Sequence, residues 1–391
     1  MKRLFIFLAF ATGALSQSGS TGTRDTAFED QPGVALSNDR LTLTVMKQGS
    51  TIASIVMADD PDKMNPMWNP VRLAHEQGRQ AQFNGSAGHF VCVDGFGPPS
   101  VEESAAGLPQ HGEAHVAKYE VTTGRDGNGS SITMTAKLPI VQENFTRTFR
   151  IVAGENVVYV DSQLENLLGF DRPVNWAEHA TLSAPFLKPG AVTIALSGNR
   201  SQNRPYVVNA PRGGRGAQAQ RRLVSGKDFT WPIAPGLDGK PVDMSIIPDD
   251  PHYLDHATTL MDPTRKLEWV AALNTERRMI YGYVFRREEY PWLQHWGNYP
   301  AVAQLVRGME FGTQPYDLPR RDTIDARSMF DTPTYRWLAA KSKIESHFVL
   351  FFAHVPDGFQ KVDDVKLESG QITIEDRVSQ KRVTLAASRG L

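Results

Sequence analysis

Cysteine is almost absent from this chain, and a surplus of either charge is missing as well. The single cysteine among 391 residues, Cys92, excludes an internal disulfide bond. Because it lies in the apolar stretch Phe90 to Val93, its thiol is expected to be a small buried hydrophobe. The 42 basic and 43 acidic residues leave a net charge of −1. The chain therefore lacks the basic surplus that binds nucleic acid, and no nucleic-acid partner is expected.

Long apolar runs are confined to the first residues. Beyond them no stretch approaches the roughly 18 apolar residues that a membrane helix needs, so no membrane span is expected. At the start, Lys2 and Arg3 precede an apolar run from Leu4 to Leu15. The small residues Ala14 and Ser16 then offer a cleavage point. This order is typical of a secretory signal peptide, so the mature protein is expected to be exported to the periplasm or the medium.

The expected domain organisation follows from this start and from the lack of any later linker. Residues 1–16 are expected to be the signal peptide, and the small, polar residues 17–31 a flexible lead-in. Residues 32–391 are expected to form a single domain. Within it, residues 211–222 are basic and rich in glycine. An inert surface loop is the preferred interpretation of this segment, and a grip on an anionic ligand is the alternative.

Amphipathic helices are scarce, and strand patterns dominate. Short helices are expected only at Pro70 to Gln77 and Tyr335 to Lys341. Apolar and polar residues alternate at 40–45 and 131–136, as in half-buried strands, and the glycine-rich residues 124–129 predict a hairpin turn. Further strands are expected at Thr51 to Met57, Val116 to Thr123, Phe145 to Val152, Val157 to Leu164, Lys266 to Leu273, Met279 to Phe285 and His347 to His354. Many short strands favour an all-β sandwich or barrel over a parallel fold.

A convincing metal motif is also missing. His252 and His256 have the spacing of a zinc-binding pair on a helix, but no glutamate of the metallohydrolase motif accompanies them. Pro251 allows a helix only to begin there, and acidic sequences with proline usually form solvated turns. No metal ligand set is therefore expected.

Three other stretches carry side chains suited to chemistry. In the long loop Gly85 to Glu113, Asp94 precedes a glycine-rich turn, and His111 lies between a proline turn and a glycine, where it can meet a ligand. In the segment 175–180, Glu178 and His179 would face opposite sides of a strand, so only one can point into a cleft.

The third stretch is aromatic. Trp292 and Trp296 alternate with amide side chains, and Glu310 follows at the end of a later strand. Such a set suits a sugar, because the apolar face of the sugar ring stacks on aromatic rings while its hydroxyl groups form hydrogen bonds.

Together, three motifs resemble those of the aldose 1-epimerase (galactose mutarotase) family and its hexose-phosphate mutarotase relatives. GHFVCVDGFGPP…GLPQHGEA, within Gly88 to Ala114, resembles the family's glycine-rich turn and Pro-x-His-Gly element. NWAEHATLSAPFL, Asn175 to Leu187, resembles the second histidine segment. VRGMEFGTQ, Val306 to Gln314, resembles the strand end that carries the catalytic glutamate. The order and spacing agree, and the resemblance covers roughly Asn38 to His354.

The resemblance implies the large antiparallel β-sandwich of the galactose mutarotase-like superfamily, with a sugar or glycan as partner and no metal or organic cofactor. It implies Glu310 as general base, His179 as general acid on the opposite side of the reacting bond, and His111 as the group that polarises the ring oxygen or holds the C1 and C2 region. The binding surface that it implies consists of Asp94, Arg79, Trp292 and Trp296. The oligomeric state is left open.

The sequence departs from the family in several places. Phe311 replaces a proline, Gln314 replaces an asparagine, and Glu113 and Ala114 stand where a basic residue usually follows His-Gly. The sugar-holding aspartate is either Asp255 or Asp262. Two other functions remain as alternatives: an exported sugar-binding protein without catalysis, and a polysaccharide lyase. The lyase would use a base and a uronate-neutralising group, for which the candidates are Tyr281, Tyr299 and Arg307.

The signal-peptide interpretation gives a first prediction. Protein recovered outside the cytoplasm of producing cells should begin near Gln17, because cleavage is expected after the small residue Ser16. N-terminal sequencing or intact-mass measurement checks this. Exported protein that still begins at Met1 would show that no cleavage occurs.

Overall fold

A computed structural model of the chain describes residues 20–206, 220–249, 253–299 and 305–391. The expected signal peptide, most of the basic segment 211–222, and His252 lie outside these residues. Within them, no helix is long and apolar enough to cross a membrane.

The described residues form 29 strands and three short helices. The helices are α1 (Pro70–Glu76), α2 (Val101–Ala105) and α3 (Arg320–Ala326). The first strands are β1 (Gly22–Phe28), β2 (Gln31–Ser37), β3 (Leu41–Met46), β4 (Ile52–Met57), β5 (His89–Val93), β6 (Glu120–Asp126), β7 (Gly129–Leu138), β8 (Glu143–Val152), β9 (Val157–Asn166), β10 (Arg172–Val174), β11 (Trp176–Ser183), β12 (Val192–Leu196), β13 (Arg200–Asn203), β14 (Asp228–Thr230), β15 (Ile233–Pro235) and β16 (Pro241–Asp243). The remainder are β17 (Leu254–Leu260), β18 (Leu267–Asn274), β19 (Met279–Arg286), β20 (Trp292–Asn298), β21 (Val306–Gly308), β22 (Glu310–Gly312), β23 (Ser328–Met329), β24 (Thr332–Pro333), β25 (Arg336–Leu338), β26 (Lys343–His354), β27 (Asp364–Glu368), β28 (Gln371–Asp376) and β29 (Lys381–Ala386).

Two large antiparallel sheets build the molecule. A 14-stranded sheet runs in the order β1-β2-β3-β4-β5-β11-β21-β20-β17-β13-β14-β15-β16, with β22 pairing both β11 and β20. An 8-stranded sheet runs β12-β18-β19-β26-β9-β8-β7-β6. Side chains from both sheets, such as Phe145 and Trp176, meet in one apolar core between them. The expected all-β sandwich is confirmed, and the strand alternation that predicted it produces this buried face.

The 8-stranded sheet is covered on its second face as well. Alternate residues of β26 belong to two different clusters: Leu350 packs in the core between the large sheets, whereas Phe351 packs against the C-terminal strands. There, Ile372 and Ile374 of the three-stranded sheet β27-β28-β29 bury their side chains. The fold therefore has three layers. The middle sheet has apolar residues on both faces, which explains the continuous apolar runs of β18 and β19.

Two expectations about chain segments are wrong. The flexible lead-in 17–31 contains strand β1 and the first residue of β2, and these two strands pair from Gly22↔Ser37 to Phe28↔Gln31. Its polar composition fits an edge strand, whose side chains remain half-exposed while its backbone is paired on one side. The helix expected at 335–341 is instead strand β25, which pairs with β10. Regular structure therefore begins before residue 32, whereas the single domain expected at residues 32–391 stays a prediction.

A buried ion pair links the two large sheets. The carboxylate of Glu178 on β11 pairs with the guanidinium of Arg147 on β8, and both side chains are fully buried. Glu178 also accepts hydrogen bonds from Trp176 Nε1 at 3.1 Å and from Tyr290 Oη at 3.0 Å. Burial opposes ionisation of Glu178, but Arg147 and the hydrogen bond from His89 outweigh it, so its pKa lies below the usual value. The carboxylate is therefore charged and completely partnered.

Removal of this carboxylate should destabilise the fold. Glu178→Gln leaves the Arg147 charge buried without its counter-ion, so the free energy of unfolding should fall by about 3–5 kcal/mol. Urea unfolding monitored by circular dichroism measures the change. The control is Asp25→Asn, which removes the partner of Lys47 in an exposed pair and should leave the unfolding midpoint unchanged. Equal stability of Glu178→Gln and wild type would contradict the assigned role.

Candidate active site

The candidate site lies on the outer face of the 14-stranded sheet, the face turned away from the core. Glu178 and His179 are neighbours on β11, and while Glu178 reaches Arg147 in the facing sheet, His179 projects to the outer side. This is the opposition that strand geometry predicts. The His179 ring stacks on Phe90 of β5, with ring centroids 4.2 Å apart. Phe90 belongs to a small apolar cluster that is separate from the main core.

His179 and Glu310 meet on this face. His179 Nε2 lies 3.5 Å from Glu310 Oε1, and its Nδ1 lies 2.9 Å from Thr181 Oγ1. Glu310 is only 3% exposed, and its Oε1 forms no hydrogen bond within the described part of the chain. An unpaired buried carboxyl oxygen is costly to maintain in a structural role. A group that approaches from the open side could satisfy it.

Gly308 makes room for this carboxyl group. A Cβ atom at Gly308 would lie 2.1 Å from Glu310 Oε1, well inside van der Waals contact. Any larger residue there would displace the Glu310 side chain. The glycine two residues before the glutamate therefore has a steric purpose in this site.

Burial shifts both members of the pair towards their uncharged forms. It raises the pKa of Glu310 well above its usual range, and the nearby negative charge of Asp317 adds to the effect. It lowers the pKa of His179 well below its usual value, with a further contribution from His111. Both shifts therefore work against the charged combination of a Glu310 carboxylate and a His179 imidazolium in the absence of a ligand.

His111 reaches the same place from the long loop. It has a left-handed backbone with φ of 66°, and its ring centroid lies 5.1 Å from that of His179. The backbone N–H of Gly97 donates to His111 Nδ1 at 3.1 Å. Since a backbone N–H can only donate, the proton of neutral His111 is on Nε2, which lies 3.2 Å from the side-chain amide of the exposed Gln110. Burial lowers the pKa of His111 to about 3, so the ring acts as a neutral donor.

Three further residues, Gln294, His256 and Asp317, connect Glu310 to the turn at Gly97 that holds His111. Gln294 on β20 is paired with Glu310, and its Oε1 lies 3.0 Å from His256 Nε2. His256 Nδ1 lies 3.5 Å from Asp317 Oδ1. Asp317 in turn packs on Gly97, where a Cβ atom would lie 2.7 Å from the backbone oxygen of Asp317. We call the resulting set the polar ring: Gly97, His111, His179, Glu310, Gln294, His256 and Asp317.

Sequence reasoning identified three members of the polar ring and missed the others. His256 was considered only as a metal ligand, although its alternation with Asp255 places it on the outer face opposite Trp296. That position can be recognised only when the pairing of β17 with β20 is known. Asp317 follows β22 in an irregular segment, and no local pattern marks it.

The sequence matches no protein-family model, and no curated protein is significantly similar to it. Solved structures do share its architecture. A candidate aldose 1-epimerase from Klebsiella pneumoniae superposes with a TM-score of 0.59 at 14% identity, over 86% of this chain and 88% of that one. A galactose mutarotase-like protein from Clostridium acetobutylicum gives 0.58 at 10% identity, over 86% and 99%. A galactose mutarotase related enzyme from Lactobacillus acidophilus gives 0.55 at 13% identity, over 86% and 100%.

The chain has the galactose mutarotase-like fold. Identities this low show the fold alone, so the chemistry has to be argued from the site. In this mutarotase-like fold the three residues implied as catalytic lie together, as the contacts of Glu310, His179 and His111 show. Their arrangement differs from the expected one in one respect. His179 and Glu310 are direct neighbours and do not flank a ligand from opposite sides.

Only one of the four expected binding residues lies at this site. Trp296 is half-buried, and its ring centroid lies 6.1 Å from that of His179. Trp292 is fully buried and donates from Nε1 to the Pro333 carbonyl at 3.0 Å, because the β23–β24 hairpin covers it. Arg79 is exposed and donates to Gln77 Oε1 at 3.1 Å. Trp292 and Arg79 are therefore corrected: neither contacts the polar ring.

Asp94 is also corrected from a ligand contact to a structural anchor. Its carboxylate is fully buried, pairs with Arg172, and lies 3.4 Å from Arg320 Nε. It also accepts the backbone N–H of Asn175 at 3.1 Å. Asp94 has φ of 49° and directly precedes the turn that contains Gly97. In the mutarotase-like fold it fixes this turn, and thereby His111, without facing a ligand.

The two aspartates left open as the sugar-holding residue both have protein partners. Asp255 points to the other face of its strand, where both oxygens accept from Arg222 at 2.6 to 3.1 Å. Asp262 accepts from the backbone N–H of Thr264 at 2.9 Å and lies in a turn. Neither reaches the polar ring, and the carboxylate present there besides Glu310 belongs to Asp317. Within the described ranges, no group of three or more His, Cys, Asp and Glu side chains could hold a metal ion.

The neutral histidines give a prediction about pH. Burial lowers the pKa of His111 to about 3 and that of His115 to about 4, whereas a hydrogen bond to Glu289 raises the pKa of His347. NMR titration should therefore show no protonation of His111 or His115 between pH 5 and 8, while His347 titrates above its usual value.

Stability should follow the same titration. Unfolded histidine binds a proton below about pH 6.5, and folded His111 does not, so the free energy of unfolding should fall as the pH drops from about 6.5 to about 3. Each such histidine contributes up to about 1.4 kcal/mol per pH unit. His111→Asn should reduce this slope. A His111 resonance that titrates near pH 6.5 would contradict the assignment.

Proposed function

We propose that this protein is an isomerase of the aldose 1-epimerase type, which interconverts the anomers of a sugar by opening and closing its ring. The observation that carries the proposal is the contact of 3.5 Å between His179 and Glu310, with the ring of His111 5.1 Å from that of His179. These groups come from three separate parts of the chain. They converge on the outer face of a fold shared with mutarotase-like proteins.

The reaction needs two proton transfers at neighbouring atoms. A base removes the proton of the C1 hydroxyl group while an acid protonates the ring oxygen, so the bond between C1 and the ring oxygen breaks and an aldehyde forms. Rotation about the C1–C2 bond, followed by the reverse transfers, gives the other anomer. Both oxygens are bonded to C1, so two side chains in direct contact can reach them from one edge of the sugar. Each such group contributes about 10²- to 10⁴-fold to the rate.

The proton state of the pair fits this chemistry. One proton is sufficient for the pair, because ring opening needs a deprotonated base and a protonated acid at the same time. The raised pKa of Glu310 favours the proton on its carboxyl group, and transfer across the contact to His179 would give the carboxylate and imidazolium that ring opening requires. Hydrogen bonds from sugar hydroxyl groups to Glu310 would favour this charged form. Ring closure returns each proton to its origin.

The remaining groups would position the sugar. His111 would donate from Nε2 to the ring oxygen or a nearby hydroxyl group, since Gly97 fixes its tautomer. The exposed part of Trp296 would stack on the apolar face of the ring. The partner is therefore a small sugar or the end of a glycan, and the chemistry needs no metal or organic cofactor. The expected export would place this activity outside the cytoplasm.

An exported sugar-binding protein without catalysis is the second candidate. Of the departures from the family, Phe311 is explained by packing, because it faces the core and stacks on Phe285 with ring centroids 4.5 Å apart. Gln314 has a buried Oε1 without a hydrogen-bond partner among the described residues, so the sugar contacts can differ from those of the family. The three residues considered for a lyase, Tyr281, Tyr299 and Arg307, are fully buried, which disfavours that alternative.

Substitution of the proton-transfer pair tests the proposal. Glu310→Gln keeps the shape of the side chain but removes the base, so binding should survive while turnover falls by about two or more orders of magnitude. His179→Asn should behave similarly. His111→Asn should damage binding and rate together, because this residue positions the ring. Polarimetry or NMR on freshly dissolved α-anomers of common aldoses measures the rate.

Glu102→Gln is the matched control, since Glu102 lies exposed on α2 and pairs only loosely with Arg321. It should retain the wild-type rate. Wild-type protein that binds a sugar without accelerating its mutarotation would favour the binding protein. Equal rates for wild type and Glu310→Gln would remove Glu310 from the mechanism.

A further inference from the structure

His256 and Asp317 form a second polar pair in the polar ring, next to Gln294. His256 is 6% exposed, whereas the side chain of Asp317 is 28% exposed and can be reached from solvent. Arg204 holds Asp317 in place: its Nε donates to Asp317 Oδ1 at 2.5 Å and its Nη2 to the backbone oxygen at 3.0 Å. The position of this carboxylate is therefore fixed before any ligand arrives.

The hydrogen bonds of Gln294 determine which nitrogen of His256 carries the proton. The Gln294 amide donates from Nε2 to the Gln314 carbonyl at 3.4 Å, which leaves its Oε1 as an acceptor. His256 Nε2, 3.0 Å away, must then donate. In neutral His256 the lone pair on Nδ1 consequently faces Asp317 Oδ1 across 3.5 Å. Two acceptors thus face each other without a hydrogen atom between them.

A hydrogen-bond donor on a ligand could satisfy the two facing acceptors, His256 Nδ1 and Asp317 Oδ1. Burial lowers the pKa of His256 more than the Asp317 carboxylate raises it, so the imidazole does not supply the proton itself. A sugar hydroxyl group that approaches this pair from the exposed side of Asp317 can donate to one of the two acceptors, and a vicinal hydroxyl group can donate to the other. The unpaired Oε1 of Glu310, 3% exposed, is a further acceptor of the polar ring. The ring therefore combines a donor at His111 with several acceptors on its other side.

We propose that His256 and Asp317 are specificity-determining residues that accept hydrogen bonds from hydroxyl groups of the sugar, and that they favour an uncharged polyhydroxy ligand over an anionic one. This inference rests on the proposed function for its sugar. Charge gives the selection, because the carboxylate of Asp317, which is partly exposed, would repel a carboxylate or phosphate on the ligand. The Nε and Nη2 donors of Arg204 are bonded to Asp317 and are therefore not available to hold an anionic group of a ligand.

The test compares matched sugars that differ only in the oxidation of C6. Binding of D-glucose and D-galactose, and of D-glucuronate and D-galacturonate, is measured by saturation-transfer NMR and calorimetry with the full mature chain. Wild type should bind a neutral sugar in preference to its uronate. Asp317→Asn should lower the affinity for the neutral sugar by about tenfold, the loss expected for one hydrogen bond to a charged group. It should also reduce the ratio of the affinity for the neutral sugar to the affinity for its uronate.

Two variants make the result specific. His256→Gln should also lower the affinity for the neutral sugar, because it removes the Nδ1 acceptor. It should leave the preference for the neutral sugar over the uronate unchanged, because it removes no charge. Asp325→Asn, an exposed carboxylate of α3, should change neither quantity. Wild-type preference for the uronate, or an unchanged affinity for the neutral sugar in both Asp317→Asn and His256→Gln, would overturn the inference.

These outcomes are distinguishable from those of the proposed function. Binding that depends on Asp317 in a protein that never accelerates mutarotation would support this inference and refute the proposed catalysis. Mutarotation that depends on Glu310, together with sugar binding that does not change in Asp317→Asn, would support the proposed catalysis and refute this inference. Failure to bind any of the four sugars would overturn both.

Discussion

The ion pair between Glu178 and Arg147 fixes the orientation of strand β11, and the candidate site depends on that orientation. A buried arginine without a counter-ion is costly, so the carboxylate has to point into the interface between the two large sheets. A slip of one residue in the register would send Glu178 outwards and His179 into the core. The imidazole thus faces Glu310 because its neighbour in the sequence is tied to the opposite sheet.

Local alternation was sufficient to predict much of the sandwich. Strands such as β4 and β19 agree with expectation to within one residue at each end, because their apolar residues repeat at the strand period. Strand β1 escaped detection because an edge strand can be polar along its length and is held mainly by backbone hydrogen bonds to β2. Strand β25 is only three residues long, too short for its period to be recognised. Its aromatic and basic residues fit a helix equally well.

The site could be predicted only in part, and the physical reason differs from residue to residue. Glu310, His179 and His111 were found because short motifs resemble a known family. Asp94 and Trp292 were misassigned because residue type does not reveal burial. Asp94 forms a buried ion pair with Arg172, and the β23–β24 hairpin covers Trp292. Asp317 was missed because its position depends on a contact with Gly97, more than 200 residues earlier in the chain, and on Arg204. Such contacts become visible only when the fold is known.

The third layer of the fold has a consequence for handling the molecule. The three-stranded C-terminal sheet packs on the 8-stranded sheet, whereas the polar ring lies on the far side of the 14-stranded sheet. The last residue, Leu391, packs against the same cluster as that C-terminal sheet. The chain terminus and the site therefore lie at opposite poles of the protein. Attachment to a surface, a resin or a fluorescent reporter through the C-terminus would leave the site facing the solution.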